Sequence, residues 1–250
     1  MSMRLFLSIA VLSGCGVATI DDRAVESDPT PVTETVRAAD PSTMVDLVQR
    51  APTVVGIEAD CPRVERIATA ADIIHERWFG GCSLSDGTEV LGVLERRDDA
   101  EGAWITGTDF RLIQRGETVF GLDGAIELTE VDALWLMDIS ASVCGTASWP
   151  CSEGMLGMDL TTTIYPSTGF PDDYDTTVSG AIATDRATTT IDGAWSVNTE
   201  FCSIEPTEGT MSVRQGDLHA IALDGRLACD ACAAWEVQGQ PMPSLCGLNW

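Results

Sequence analysis

The chain has 250 residues and a mass of 26.6 kDa, room for one or two domains, and 44% of it is apolar, enough to build a core. Its 14 basic residues, all of them arginine, face 39 acidic ones, a formal charge of −25. That balance excludes a nucleic-acid binder, which needs clustered Lys and Arg against phosphate. It equally excludes a body that lies on an anionic membrane through a basic face.

Arg4 gives a positive start, Leu5–Leu12 is an apolar run too short to span a bilayer, and Leu12-Ser13-Gly14-Cys15 follows. A leucine, two small residues and a cysteine at this distance from the start resemble the lipobox of bacterial lipoproteins. The resemblance covers residues 1–15 alone and implies no fold for the rest. It implies a signal peptide over 1–14, cleavage before Cys15, and acylation of both its thiol and the new N-terminus. The membrane then becomes a partner, reached through the lipid on Cys15. The residue types suit that chemistry, because small Ser13 and Gly14 let a peptidase reach the bond and the thiol is the nucleophile that becomes a thioether. Several acyl chains at one residue supply stable anchoring. Gly16 is not the aspartate that retains lipoproteins of enteric bacteria at the inner membrane, so the same resemblance implies the bacterial outer membrane.

Residues 15–50 read as a flexible acidic tether. From Gly16 to about Pro41, Thr, Asp, Glu and Pro dominate, and such a stretch buries too little surface to offset its ordering entropy. Near its end, Asp40-Pro41-Ser42-Thr43 before Met44, Leu47 and Val48 carries the pattern of one short amphipathic helix.

The body repeats itself. Gly102-Ala103-Trp104 is followed by Asp109-Phe110, and Gly193-Ala194-Trp195 by Glu200-Phe201 at the same spacing. Thr88, Val90, Gly92 and Leu94 match Thr176, Val178, Gly180 and Ile182; Leu122-Asp123-Gly124 matches Leu223-Asp224-Gly225. Trp135 matches Trp235, and Cys144-Gly145 matches Cys246-Gly247. Two related modules follow, over 58–145 and 147–250. Both read as strands: Trp104, Thr106, Thr108, Phe110 and Leu112 alternate against Asp109 and Arg111. Trp195, Val197, Thr199 and Phe201 alternate against Ser196, Asn198 and Glu200. Asp86-Gly87, Asp123-Gly124, Asp192-Gly193 and Asp224-Gly225 read as turns, and Thr129–Met137 fits a capped helix and a buried strand equally. The expected fold is all-β: two antiparallel meander modules, stapled by disulfides, forming a sandwich, a barrel or a single curved sheet. Its Trp/Phe face is expected to be the core.

Eight cysteines remain beyond Cys15, an even number that reads as four disulfides in an exported protein. Proximity in sequence pairs Cys61 with Cys82, Cys144 with Cys151, Cys202 with Cys229, and Cys232 with Cys246. Cys229-Asp230-Ala231-Cys232 is also a C-x-x-C, but it lies between strand-like runs rather than at a helix N-terminus, so structural disulfides outweigh zinc or redox chemistry. The two histidines, His75 and His219, have no partner histidine at metal spacing and read as satisfied sheet residues. Asp172-Asp173-Tyr174-Asp175 is the densest acidic loop, without the spacing of a calcium hand, and reads as a solvated turn.

No catalytic, cofactor or metal residue is therefore expected. The implied role is non-catalytic binding or structure in a bacterial envelope, toward an envelope protein or glycan, with self-repulsion keeping the body monomeric. Two alternatives from other classes stand beside it: a carrier holding an apolar ligand on the Trp104/Trp195 face, and a hydrolase using two of its many carboxylates.

Overall fold

The computed structural model describes residues 35, 38–45, 47–48, 58, 60–70, 73–100, 102–146, 149–167 and 170–246. The lipobox, including Cys15, lies outside these residues, as does the tether up to residue 34.

The strands run β1 (Arg63–Ala70), β2 (Ile73–Phe79), β3 (Cys82–Ser83), β4 (Glu89–Asp99), β5 (Gly102–Gln114), β6 (Glu117–Val131) and β7 (Leu134–Cys144). After a 3-10 turn at Cys151–Glu153 come β8 (Leu156–Pro166), β9 (Asp173–Ala183), β10 (Thr188–Asn198), β11 (Glu208–Gln215), β12 (Asp217–Leu223), β13 (Cys232–Val237), β14 (Gln240–Pro241) and β15 (Leu245–Cys246). All of them join one antiparallel sheet, ordered β1-β2-β4-β5-β6-β7-β8-β9-β10-β11-β12-β13-β14, with β3 beside β4 and β15 beside β13. Of the three expected forms, the single curved sheet is the one adopted, and it is open. The spans expected to form two modules lie in that one sheet, because β7 pairs with β8 from Trp135↔Ile164 to Val143↔Leu156.

Alternation explains the two faces. One inner row crosses the sheet through Ile105, Ile126, Ile139, Leu160, Gly180, Ile191, Val213 and His219, each opposite the next. The next row runs Leu128, Met137, Thr162, Val178, Gly193, Met211, Ile221 and Trp235. The large apolar residues of both rows belong to one contiguous buried cluster. The outer face carries the polar partners of the same strands, for example Glu127, Asp138, Thr161, Ser179, Asp192 and Ser212 in a single row.

The end of the expected tether departs from the tether reading. Helical residues 41–45, 47 and 48 are capped by Asp40, whose carboxylate accepts from Ser42 N (3.1 Å), Ser42 Oγ and Thr43 Oγ1 (2.9 Å). Met44, Val45, Leu47 and Val48 are buried in the same cluster as the inner face, with Val48 fully enclosed. The helix expected from the spacing is present, and its apolar stripe is part of the core. Tyr174, on the inner side of β9, ties it down by donating its hydroxyl to Asp40 Oδ1 at 3.3 Å. Burial and the Asp40 charge keep that phenol protonated far above its ordinary range.

The expected face Trp104–Leu112 is split by a bulge. Asp109 is one residue in excess in β5 against both neighbours: Leu91/Val93 of β4 face Arg111/Thr108, and Leu122/Gly124 of β6 face Phe110/Gly107. Asp109 adopts φ 47°, and its N–H is taken by Asp123 Oδ1 at 3.1 Å. Ile105 and Gly107 point inward before the bulge, and Phe110 and Leu112 after it, so Trp104 and Thr106 fall on the outer face. Opposite the bulge, Gly92 has φ 72°, and a Cβ there would sit 2.3 Å from the carbonyl oxygen of Asp109.

Trp195, by contrast, is buried on the inner face, so the two tryptophans of the repeated Gly-Ala-Trp point to opposite sides. Phe201 is also not core: β10 ends at Asn198, and Phe201 is exposed in the following turn. Thr129–Met137 is two strands joined at Asp132-Ala133, the end of β6 and the start of β7. Of the four Asp-Gly turn expectations, Asp86-Gly87 and Asp224-Gly225 lie in turns, while Asp123-Gly124 and Asp192-Gly193 lie inside β6 and β10.

Candidate functional site

All four expected disulfides form: Cys61–Cys82, Cys144–Cys151, Cys202–Cys229 and Cys232–Cys246. The C-x-x-C is thereby divided, since Cys229 and Cys232 each bond outside the motif. Asp172–Asp175 is not a loop throughout, because β9 begins at Asp173. Asp175 accepts from Ser196 Oγ at 2.5 Å on the outer face while Tyr174 turns inward. Among the described residues, no group of three or more His, Cys, Asp or Glu side chains is placed to hold a metal ion.

The histidines part company. On the outer face His75 Nε2 lies 2.7 Å from Glu95 Oε1, and Arg77 donates to Glu95 Oε2 through Nε at 2.9 Å and Nη2 at 2.6 Å. Trp104 closes edge-on against His75, with ring centroids 5.6 Å apart. Burial alone would raise the pKa of Glu95, but the His75 and Arg77 hydrogen bonds and charges outweigh it and hold the carboxyl below its ordinary value. His75 is thus satisfied, as expected. His219 is not: it is buried on the inner face, stacked on Trp235 at 5.8 Å, and among the described residues its Nδ1 has no hydrogen-bond partner. Burial lowers its pKa, with Asp217 acting weakly in the opposite sense.

The outer face also holds a shallow depression of about 350 Å³, lined by Asp123, Ser140, Ser142, Gly157, Asp159 and Ala181 among others. It follows from side-chain size. Ser140↔Asp159↔Ala181 and Ser142↔Gly157↔Ala183 are neighbouring cross-strand rows of small residues, so the surface dips between longer neighbours. Two carboxylates and two hydroxyls converge there, a set able to accept hydrogen bonds from a polyol or a cationic group; neither histidine lies in it. Sequence reasoning missed this hollow because Asp123-Gly124 reads as a turn. The available signal was the period-two run of small residues in Ser140-x-Ser142, Gly157-x-Asp159 and Ala181-x-Ala183.

One further carboxylate is unusual. Glu205 is 3% exposed, in the connection between β10 and β11 that Cys202–Cys229 ties to the connection between β12 and β13. Burial, with Asp230 and Asp224 nearby, pushes its pKa up, although the N–H groups of Asp230 and Cys232 work against the shift.

No protein-family model matches the chain, and no curated protein or solved structure matches it either.

Proposed function

We propose that the protein is a lipid-anchored lipoprotein of the bacterial outer membrane, and that its body serves a non-catalytic binding or structural role. The observation that carries this reading is the cysteine balance. Every cysteine from Cys61 onward is consumed in a disulfide, which fits an oxidising compartment and leaves Cys15 as the one thiol without a cysteine partner in the body. A thioether to lipid accounts for it. The role assigned to the body rests on where its material lies. The inner face of the sheet is occupied by the chain's own apolar side chains, those of Met44, Val45, Leu47 and Val48 among them, so an apolar cargo would have to displace their helix. The acidic, hydroxyl-rich outer face remains as the surface offered to an envelope protein or glycan.

Mass spectrometry of the mature N-terminal peptide tests the anchor. A diacylglyceryl thioether and an amide-linked acyl chain on Cys15 are expected. An N-terminus cleaved elsewhere, or an unmodified Cys15, would overturn the reading.

A further inference from the structure

Consecutive strands of a meander reverse direction, so alternate connections gather at one end of the sheet. The turns after β4, β6, β8, β10 and β12 share one end, together with the start of β2. Of the twelve exposed large apolar side chains among the described residues, eight lie at this end, three at the other (Leu91, Val119 and Leu218), and Ile67 is in mid-strand. The most exposed are Leu227 at 87% and Phe201 at 57%, with Val131, Tyr165, Ile74 and Ile204 around the same rim. Leu227 and Phe201 sit on the two connections that Cys202–Cys229 cross-links, and the Arg226 guanidinium lies 4.8 Å over the Phe201 ring. A cation on an aromatic beside bare aliphatic groups suits a boundary between headgroups and acyl chains.

The helix that opens at Asp40 starts at this same end. Asp40, the cap of the helix, is bonded to Tyr174, the second residue of β9, whose strand begins there. Twenty residues separate Cys15 from Thr35, and a chain of that length spans at most about 70 Å. A chain of that length lets this rim reach the bilayer in which Cys15 is anchored.

We propose that the Phe201/Leu227 rim docks on a zwitterionic lipid surface, so that the body is held to its membrane at two points, the acyl chains and the rim. The inference rests on the lipoprotein reading. The lipid must be zwitterionic because Asp132, Asp172, Glu200 and Asp224 stand in the turns at this end and repel an anionic surface.

The test uses the Cys15→Ser chain, exported so that its disulfides form, in flotation with phosphatidylcholine vesicles. The expected result is measurable flotation, reduced about tenfold by Phe201→Ser with Leu227→Ser. Val119→Ser with Leu218→Ser, which removes apolar surface from the opposite end, leaves flotation unchanged, and an anionic lipid added to the vesicles lowers it. Melting temperatures of both double variants establish that they are folded. Absent flotation of the Cys15→Ser chain, or equal losses from the two ends, overturns the proposal. Failure of the lipoprotein reading shows separately, as an unmodified Cys15 in the parent chain.

Discussion

Glu95 and Glu205 are the same residue type under opposite pressures, and they are expected to answer the same substitution with opposite signs. Glu95 is held below its ordinary value of 4.5 by His75 and Arg77, so its contribution to stability is present above that value and lost as pH falls through the folded pKa. Glu95→Gln is expected to cost about 1 kcal/mol at neutral pH, a loss that shrinks in acid. Glu205 is raised from 4.5 by burial and by neighbouring acids, so its contribution is present below that value and lost as pH rises through the folded pKa. At neutral pH its ionised form is a cost, and Glu205→Gln is expected to raise Tm by about 2 °C, a gain that disappears in acid. Thermal melts of both variants across pH 3 to about pH 7 check the pair; two losses, or two gains, would contradict the electrostatics given for these sites.

At the scale of elements, the helix of residues 41–45, 47 and 48 is structural. Val48 is fully enclosed in the cluster that includes the inner face, so Val48→Asp buries an unpaired charge and is expected to cost about 3 kcal/mol or more in urea melts. A cost near zero would mean the helix is not packed in solution. Its existence was legible from Asp40, Ser42 and Thr43 before Met44, Leu47 and Val48. Its burial was not, because the surrounding composition reads as solvated chain and only the curved inner face gives those residues a partner. The disulfides were legible for a topological reason: when each strand pairs with the next, cysteines near in sequence are near in space. The turns were half legible. Hairpins close at Arg115-Gly116, Asp132-Ala133 and Gln238-Gly239, each with positive φ at both residues, and the first and last carry glycine without aspartate. Gly124 and Gly193 instead lie inside strands; at Gly124 neighbouring backbone approaches too closely for a Cβ, and at Gly193 the fit would be tight. The face of Trp104 was lost to one extra residue, since a period-two pattern cannot reveal the bulge that reverses it at Asp109.

The whole molecule is an open sheet carrying a large excess of negative charge, and the two properties interact. The polar outer face spreads its carboxylates over strands with few cations between them, so the folded state bears a self-repulsion that salt relieves. Raising NaCl from about 0.01 M to about 1 M shortens the screening length from about 30 Å to about 3 Å and is expected to raise Tm. A Tm that falls with salt would show that ion pairs such as Arg77–Glu95 outweigh the repulsion. The order of the cysteines has a consequence for biogenesis. Counting from Cys61, each pairs with the next, across separations of 21, 7, 27 and 14 residues. On the proposed export, a polypeptide threaded through a secretion pore from its N-terminus presents these thiols in the order in which they bond. An oxidase acting as they emerge makes native links at first encounter, leaving little for an isomerase to correct.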